Sequence, residues 1–153
     1  MSRREIRERI FKLLFRVEFY ETGEMEEQKE LFFEDAEDFP EQAGEKDKQE
    51  ITGKFDAIVG KLSEIDKMID EKATGWSTKR MGKVDLTIIR LAVYEICFDG
   101  QVPTGVAINE AVELAKSYGQ DGSAAFVNGV LAKFAKTGET AETTAVLETA
   151  DEP

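Results

Sequence analysis

The sequence predicts an all-α protein of about seven helices in two small packed bundles. Three observations predict it. Apolar residues recur at spacings of three and four in nearly every segment, and no segment shows a convincing strand pattern. Helix-breaking residues gather in short connectors such as "DFPEQAGEKD" and "YGQDGS". Connectors this short favour antiparallel packing of neighbouring helices. With 153 residues, 41% of them hydrophobic, the chain can bury a sizeable core as one domain or as two halves sharing one.

The first helix spans 3–21, with Ile6, Ile10, Leu13, Leu14 and Val17 on one face and its arginines mostly off that stripe. "EEQKELFFEDA", about 25–38, is the second, anchored by Leu31 and Phe32. Pro40 and Gly44 mark a linker. A third helix runs over about 46–59, with Ile51, Phe55 and Ile58 at helical spacing. The fourth carries Leu62, Ile65, Met68 and Ile69, with Ser63 in the N-cap position before Asp66. Val84 to Phe98 is apolar on nearly all sides, which places it at the centre of the fold. Its β-branched residues also allow a strand, but the length of the run, with Arg90 and Glu95 inside it, favours helix. Gly100 and Pro103 end it. In the sixth helix Ile108, Ala111, Val112, Ala115 and Tyr118 form the apolar stripe, with Glu110 facing elsewhere. The seventh covers 123–136, with Ser123 at its N-cap. The reading therefore divides the chain into bundles of about 1–75 and 76–136, and expects the acidic stretch 137–153 to be disordered.

Composition narrows the function. The chain has no histidine and a single cysteine, Cys97, so the commonest general base, the commonest metal ligand and an internal disulfide are all absent. No Walker loop, nucleophile elbow or dinucleotide fingerprint occurs. These absences disfavour an enzyme and imply no cofactor. With no signal core, and no apolar run near the roughly 20 residues of a membrane span, a cytoplasmic protein is expected. The net charge is −12, yet the first helix holds Arg3, Arg4, Arg7, Arg9, Lys12 and Arg16 against only Glu5 and Glu8. A basic arm on an acidic body is a nucleic-acid signature that whole-chain charge hides.

The stretch "FVNG" adds a second signal. Gly and Asn weaken a helix, by up to about 1 kcal/mol each relative to Ala. Phe126, Gly129 and Lys133 share a face of the seventh helix, away from the stripe of Val127, Val130, Leu131 and Phe134. One reading makes Phe126 a platform for a stacked base, with Gly129 leaving its flank open and a cation one turn on. The other makes Gly129 a close-approach site for a neighbouring helix and Phe126 a core residue beneath it. Arg90 and Glu95 need internal ion-pair partners if buried. Trp76 is expected to anchor the two bundles to each other, and Cys97 to be a small core residue.

Together "RREIRERIFKLLFRVEF", "GWSTKRMGKVDLTIIRLAVYEI", "VPTGVAINEAVELAKSYG" and "FVNGVLAK" resemble the bacterial transcription antitermination factor family NusB, in the family's order, over about residues 3–136. The resemblance implies an all-helical, non-catalytic protein. Such a protein binds single-stranded boxA RNA of ribosomal RNA operon transcripts together with the ribosomal protein NusE. It couples that RNA to the RNA polymerase elongation complex, with other Nus factors, and suppresses termination. Some members of the family also form a homodimer that hides the RNA surface. Carried over by residue, the arginine-rich motif matches Arg3, Arg4 and Arg7, with Arg9 as an additional basic residue. The RNA-contacting aromatic matches Phe126, beside Gly129 and Lys133, and Lys116 and Tyr118 match positions next to that surface. On the NusE side, Phe15, Asp85 and Arg90 match. The chain departs from the family pattern at Lys79 and Arg80, where acidic side chains are expected, and at Gly122, where an Asp is usual. The competing reading is a helical protein-interaction adaptor whose arginines are merely solvated. A third, the RNA-modifying enzymes that carry a NusB-like domain, lacks its cofactor-binding domain here.

Overall fold

The computed structural model describes residues 1–135, and the acidic stretch 137–153 lies outside the described residues. Among the described residues there are seven α-helices: α1 (Arg3–Phe15), α2 (Met25–Glu34), α3 (Glu45–Gly60), α4 (Leu62–Lys72), α5 (Lys83–Cys97), α6 (Thr104–Tyr118) and α7 (Ser123–Ala135). Among the described residues there is no strand, so the all-α class holds.

In the first compact unit, Met1–Gly60, α1 packs on α3. The packing follows from the predicted stripes: Ile6, Ile10, Leu13 and Leu14 of α1 and Ile51, Phe55 and Ile58 of α3 are all buried. The start of α1 is set by a capping box, in which the Ser2 hydroxyl accepts from the Glu5 amide and the Glu5 carboxylate accepts from the Ser2 amide. The helix ends at Phe15, short of residue 21, and a 3₁₀ turn, Arg16–Glu18, follows. α2 also stops early. Asp35 is extended and its carboxylate accepts the Glu37 amide, a local bond that competes with helix. Phe32 anchors α2 as expected, but Leu31 is exposed and Met25 and Gln28 are buried in its place.

In the second unit, α5 packs against α4, α6 and α7, and α6 against α7. Every residue from Leu86 to Val93 is buried, as an all-apolar helix requires. The units divide after Gly60 rather than near residue 75, because α4 packs on α5 and α7. Ser63 lies inside α4; the cap position belongs to Lys61. The buried stripe of α6 is Ala107, Glu110, Ala111, Leu114 and Ala115, so Glu110 sits on the packed face and Ile108 and Val112 only at its edge. Cys97 is half-buried, and burial pushes its thiol above the ordinary value.

The connector from α6 to α7 is sterically tight. Gly122 has φ +89°, where L side chains are disfavoured. A Cβ at Gly119 would lie 2.5 Å from Ser123 Cβ and 2.7 Å from the Ala115 carbonyl oxygen. That carbonyl accepts the Gly119 amide, and the Ser123 hydroxyl accepts the Gln120 amide, so neither can give way cheaply. The Ser123 side chain thus closes the turn instead of capping the amides of α7. Gly119→Ala is expected to destabilise the protein by about 1–3 kcal/mol in urea denaturation; an unchanged midpoint would mean that the turn relaxes freely.

Candidate nucleic-acid interface

The basic residues of α1 divide by helical face. Arg3 and Arg4 are exposed and Arg7 half-exposed on the first turns. They belong to a capped helix rather than to a detached arm. Arg3 forms a two-pronged ion pair with Glu50 of α3, with Nη2 to Oε1 at 2.7 Å, yet its side chain stays 72% exposed. These hydrogen bonds hold the Glu50 carboxyl below its ordinary value.

Arg9 is directed inward. Its Nε donates to the Asp38 carbonyl at 2.6 Å and its Nη1 to Glu8 at 2.7 Å. Lys12 and Arg16 reach the Asp38 carboxylate at 3.5 and 3.9 Å, and Arg16 also donates to the Gln28 carbonyl and lies over the Phe32 ring. Half of the basic helix, Arg9 included, therefore fastens the segment after α2. The reason is spacing: Arg9, Lys12 and Arg16 recur at three and four, on the side of α1 that Asp38 covers.

On α7, Gly129 and Lys133 are exposed and Phe126 is half-buried. A Cβ at Gly129 would meet nothing within 4 Å, so this glycine is not a close-approach site for another helix. Phe126 meets the Trp76 ring edge-to-face, with centroids 5.5 Å apart and planes at 71°. Trp76 is 47% exposed and so is not a buried anchor. The Arg80 guanidinium lies over it, 5.7 Å from the ring centroid. Sequence reading missed Trp76 and Arg80 as members of this face. They lie in a loop remote in sequence from α7, and only their aromatic and cationic character signalled them. Lys116, near the end of α6, is exposed and pairs with Glu113 at 3.3 Å; Tyr118 is half-exposed.

Of the residues expected to face a protein partner, Phe15 is half-buried and packs edge-to-face on Phe19, centroids 5.0 Å apart. Phe19 and Tyr20 are themselves exposed. Asp85 is half-exposed in the first turn of α5, whose cap is Gly82, so it is not the N-cap. Arg90 is buried and clamped by Asp66 of α4, with Nε to Oδ1 and Nη2 to Oδ2 both at 2.8 Å. The structure thus places Arg90 in an internal ion pair rather than on a partner surface. Among the described residues no helix is long and apolar enough to cross a membrane.

Fold and surfaces define a class: an all-helical protein whose distinctive exposed groups are arginines, lysines and aromatic rings. A family model described as the NusB family matches residues 4–136, and the chain belongs to that family of transcription antitermination proteins. The transcription antitermination protein NusB of Agathobacter rectalis is 56% identical over 88% of this chain and 100% of its own length. NusB of T. maritima, in a P3121 crystal form, superposes with a TM-score of 0.81 at 35% identity, covering 95% of this chain and 98% of its own. A chain from the crystal structure of a plectonemic RNA supercoil superposes with a TM-score of 0.73 at 29% identity, over 88% of this chain and 94% of its own.

Proposed function

We propose that this protein binds single-stranded boxA RNA of ribosomal RNA operon transcripts, together with ribosomal protein NusE. It delivers that RNA to elongating RNA polymerase, in the cytoplasm, so that termination is suppressed. The observation that carries the reading is the α7 face, where Phe126 sits beside a glycine with open space above it. A helix weakened at an exposed, uncrowded position has no packing reason to be weak, and a base approaching an aromatic ring supplies one. Arg3, Arg4 and Arg7 provide phosphate partners on a rigid, capped helix start. The solved neighbour that shares its crystal with RNA supports the same assignment. The exposed Phe19 packed on Phe15, the exposed Tyr20 and the half-exposed Asp85 support a protein partner, with the acid suited to a basic ribosomal protein.

Filter binding of boxA-like single-stranded RNA, with and without NusE, tests the reading. Replacing Arg3, Arg4 and Arg7 together with Ala is expected to weaken RNA binding tenfold or more. The log–log salt slope should flatten by about 0.7 for each phosphate that is no longer neutralised. The melting temperature should fall only slightly, since exposed ion pairs such as Arg3–Glu50 contribute about 0–1 kcal/mol. Unchanged affinity and slope in the triple variant would exclude the arginines from the interface. If the wild-type protein binds NusE but no RNA under any condition, the protein-adaptor reading replaces this one.

A further inference from the structure

We infer that Trp76 is a second stacking platform, taking an unpaired nucleobase next to the one on Phe126, an assignment that rests on the RNA-binding reading. Trp76 is the largest apolar side chain left substantially exposed, and its position is built rather than incidental. Gly75, with φ +84°, turns the chain out of the α4 end, and the Trp76 amide donates to the Ala73 carbonyl at 2.9 Å. Just beyond, the Asp70 carboxylate accepts the Thr78 amide at 2.6 Å, fixing the 3₁₀ turn Thr78–Arg80. That turn holds Arg80 over the indole.

The charge of this loop suits a nucleic acid. In a chain of net charge −12, "KRMGK" places three cations within five residues, and Lys79, Arg80 and Lys83 are all exposed. Among the described residues neither Lys79 nor Arg80 forms an ion pair; the charge of Arg80 is set against the ring instead of a carboxylate. With the Arg80 guanidinium over one face of the indole, a base takes the opposite face and finds a counter-charge for its phosphate at the same place.

The geometry also selects the nucleic acid. Bases lying on Trp76 and Phe126 would have planes about as far from parallel as the rings themselves, which meet at 71°. Successive bases of a duplex are parallel and paired, so they cannot satisfy both rings. A single strand that unstacks and turns between two nucleotides can. The pair of rings therefore reads strandedness and backbone flexibility, not base identity.

Trp76 is the only tryptophan in the chain, so intrinsic emission reports this site alone. The full chain is titrated with a short unstructured single-stranded RNA while tryptophan emission and the anisotropy of a labelled copy of the RNA are recorded. The expected result is quenching that saturates with the anisotropy signal, and none with a duplex of the same length. Trp76→Ala should weaken binding about 5- to 150-fold, and Trp76→Phe should recover most of that, with circular dichroism confirming that both variants are folded. RNA binding with unchanged emission, or quenching with wild-type affinity in Trp76→Ala, overturns the Trp76 platform and leaves the proposed function standing. Quenching by NusE but not by RNA, while RNA still binds, assigns the ring to a protein partner and overturns it too. Failure of the wild-type chain to bind RNA at all overturns both.

Discussion

Arg90→Met is expected to destabilise the second unit by about 3 kcal/mol, the lower end of the range for breaking a buried ion pair. Arg90 is 8% exposed and its guanidinium makes two 2.8 Å bonds to Asp66. Removing it strands a carboxylate whose side chain is still 27% exposed, and this residual hydration keeps the loss from being larger. Arg90→Lys should recover little, because an ammonium cannot span both carboxylate oxygens. Changing Asp66 to Leu as well should restore much of the stability, since the stranded charge is then gone. Chemical denaturation of the three variants measures this. A normal unfolding midpoint for Arg90→Met together with a failure to bind NusE would return Arg90 to the partner surface.

Phe126→Ala is expected to weaken single-stranded RNA binding by about 1–3 kcal/mol, the contribution of one stacked base. Some stability should go as well, because the ring packs edge-to-face on Trp76. That loss should stay below the about 3–5 kcal/mol of a fully buried Phe, since Phe126 is only half-buried. Phe126→Tyr and Phe126→Trp should bind nearly normally. Gly129→Leu separates binding from folding. Its Cβ would enter open space, so the helix gains up to about 1 kcal/mol of propensity while the RNA face is blocked. Thermal melts beside RNA titrations decide the matter. A Phe126→Ala protein that melts far lower yet binds RNA normally while folded would make Phe126 a packing residue.

Helix existence was legible wherever one side of the pattern was strongly apolar, as in α1, α3 and α5. Helix ends were less so, because hydrogen bonds invisible in the pattern decide them. Asp35 terminates α2 through its own carboxylate, and Ser63, a plausible cap by residue type, is swallowed into α4. Burial of polar residues was harder still. Glu110 lies on the packed face of α6, and Leu31, apolar and correctly placed in a helix, faces out. Periodicity assigns a face only relative to neighbours, and the neighbours come from tertiary packing.

The same boundary runs through the candidate site. Residue types and local spacing by themselves determined the all-α class, the apolar run that became α5, the basic start of α1 and the shared face of Phe126, Gly129 and Lys133, since each depends on residues within a turn or two of one another. Tertiary structure alone decided that Arg9 belongs to Asp38 and Arg90 to Asp66, that α4 joins the second unit, and that Trp76 and Arg80 meet at the Phe126 face. An arginine on a helix face looks the same in sequence whether a carboxylate arriving from elsewhere in the chain neutralises it or solvent surrounds it. Which of the two happens depends on residues tens of positions apart meeting one another, and they meet only once the helices have packed.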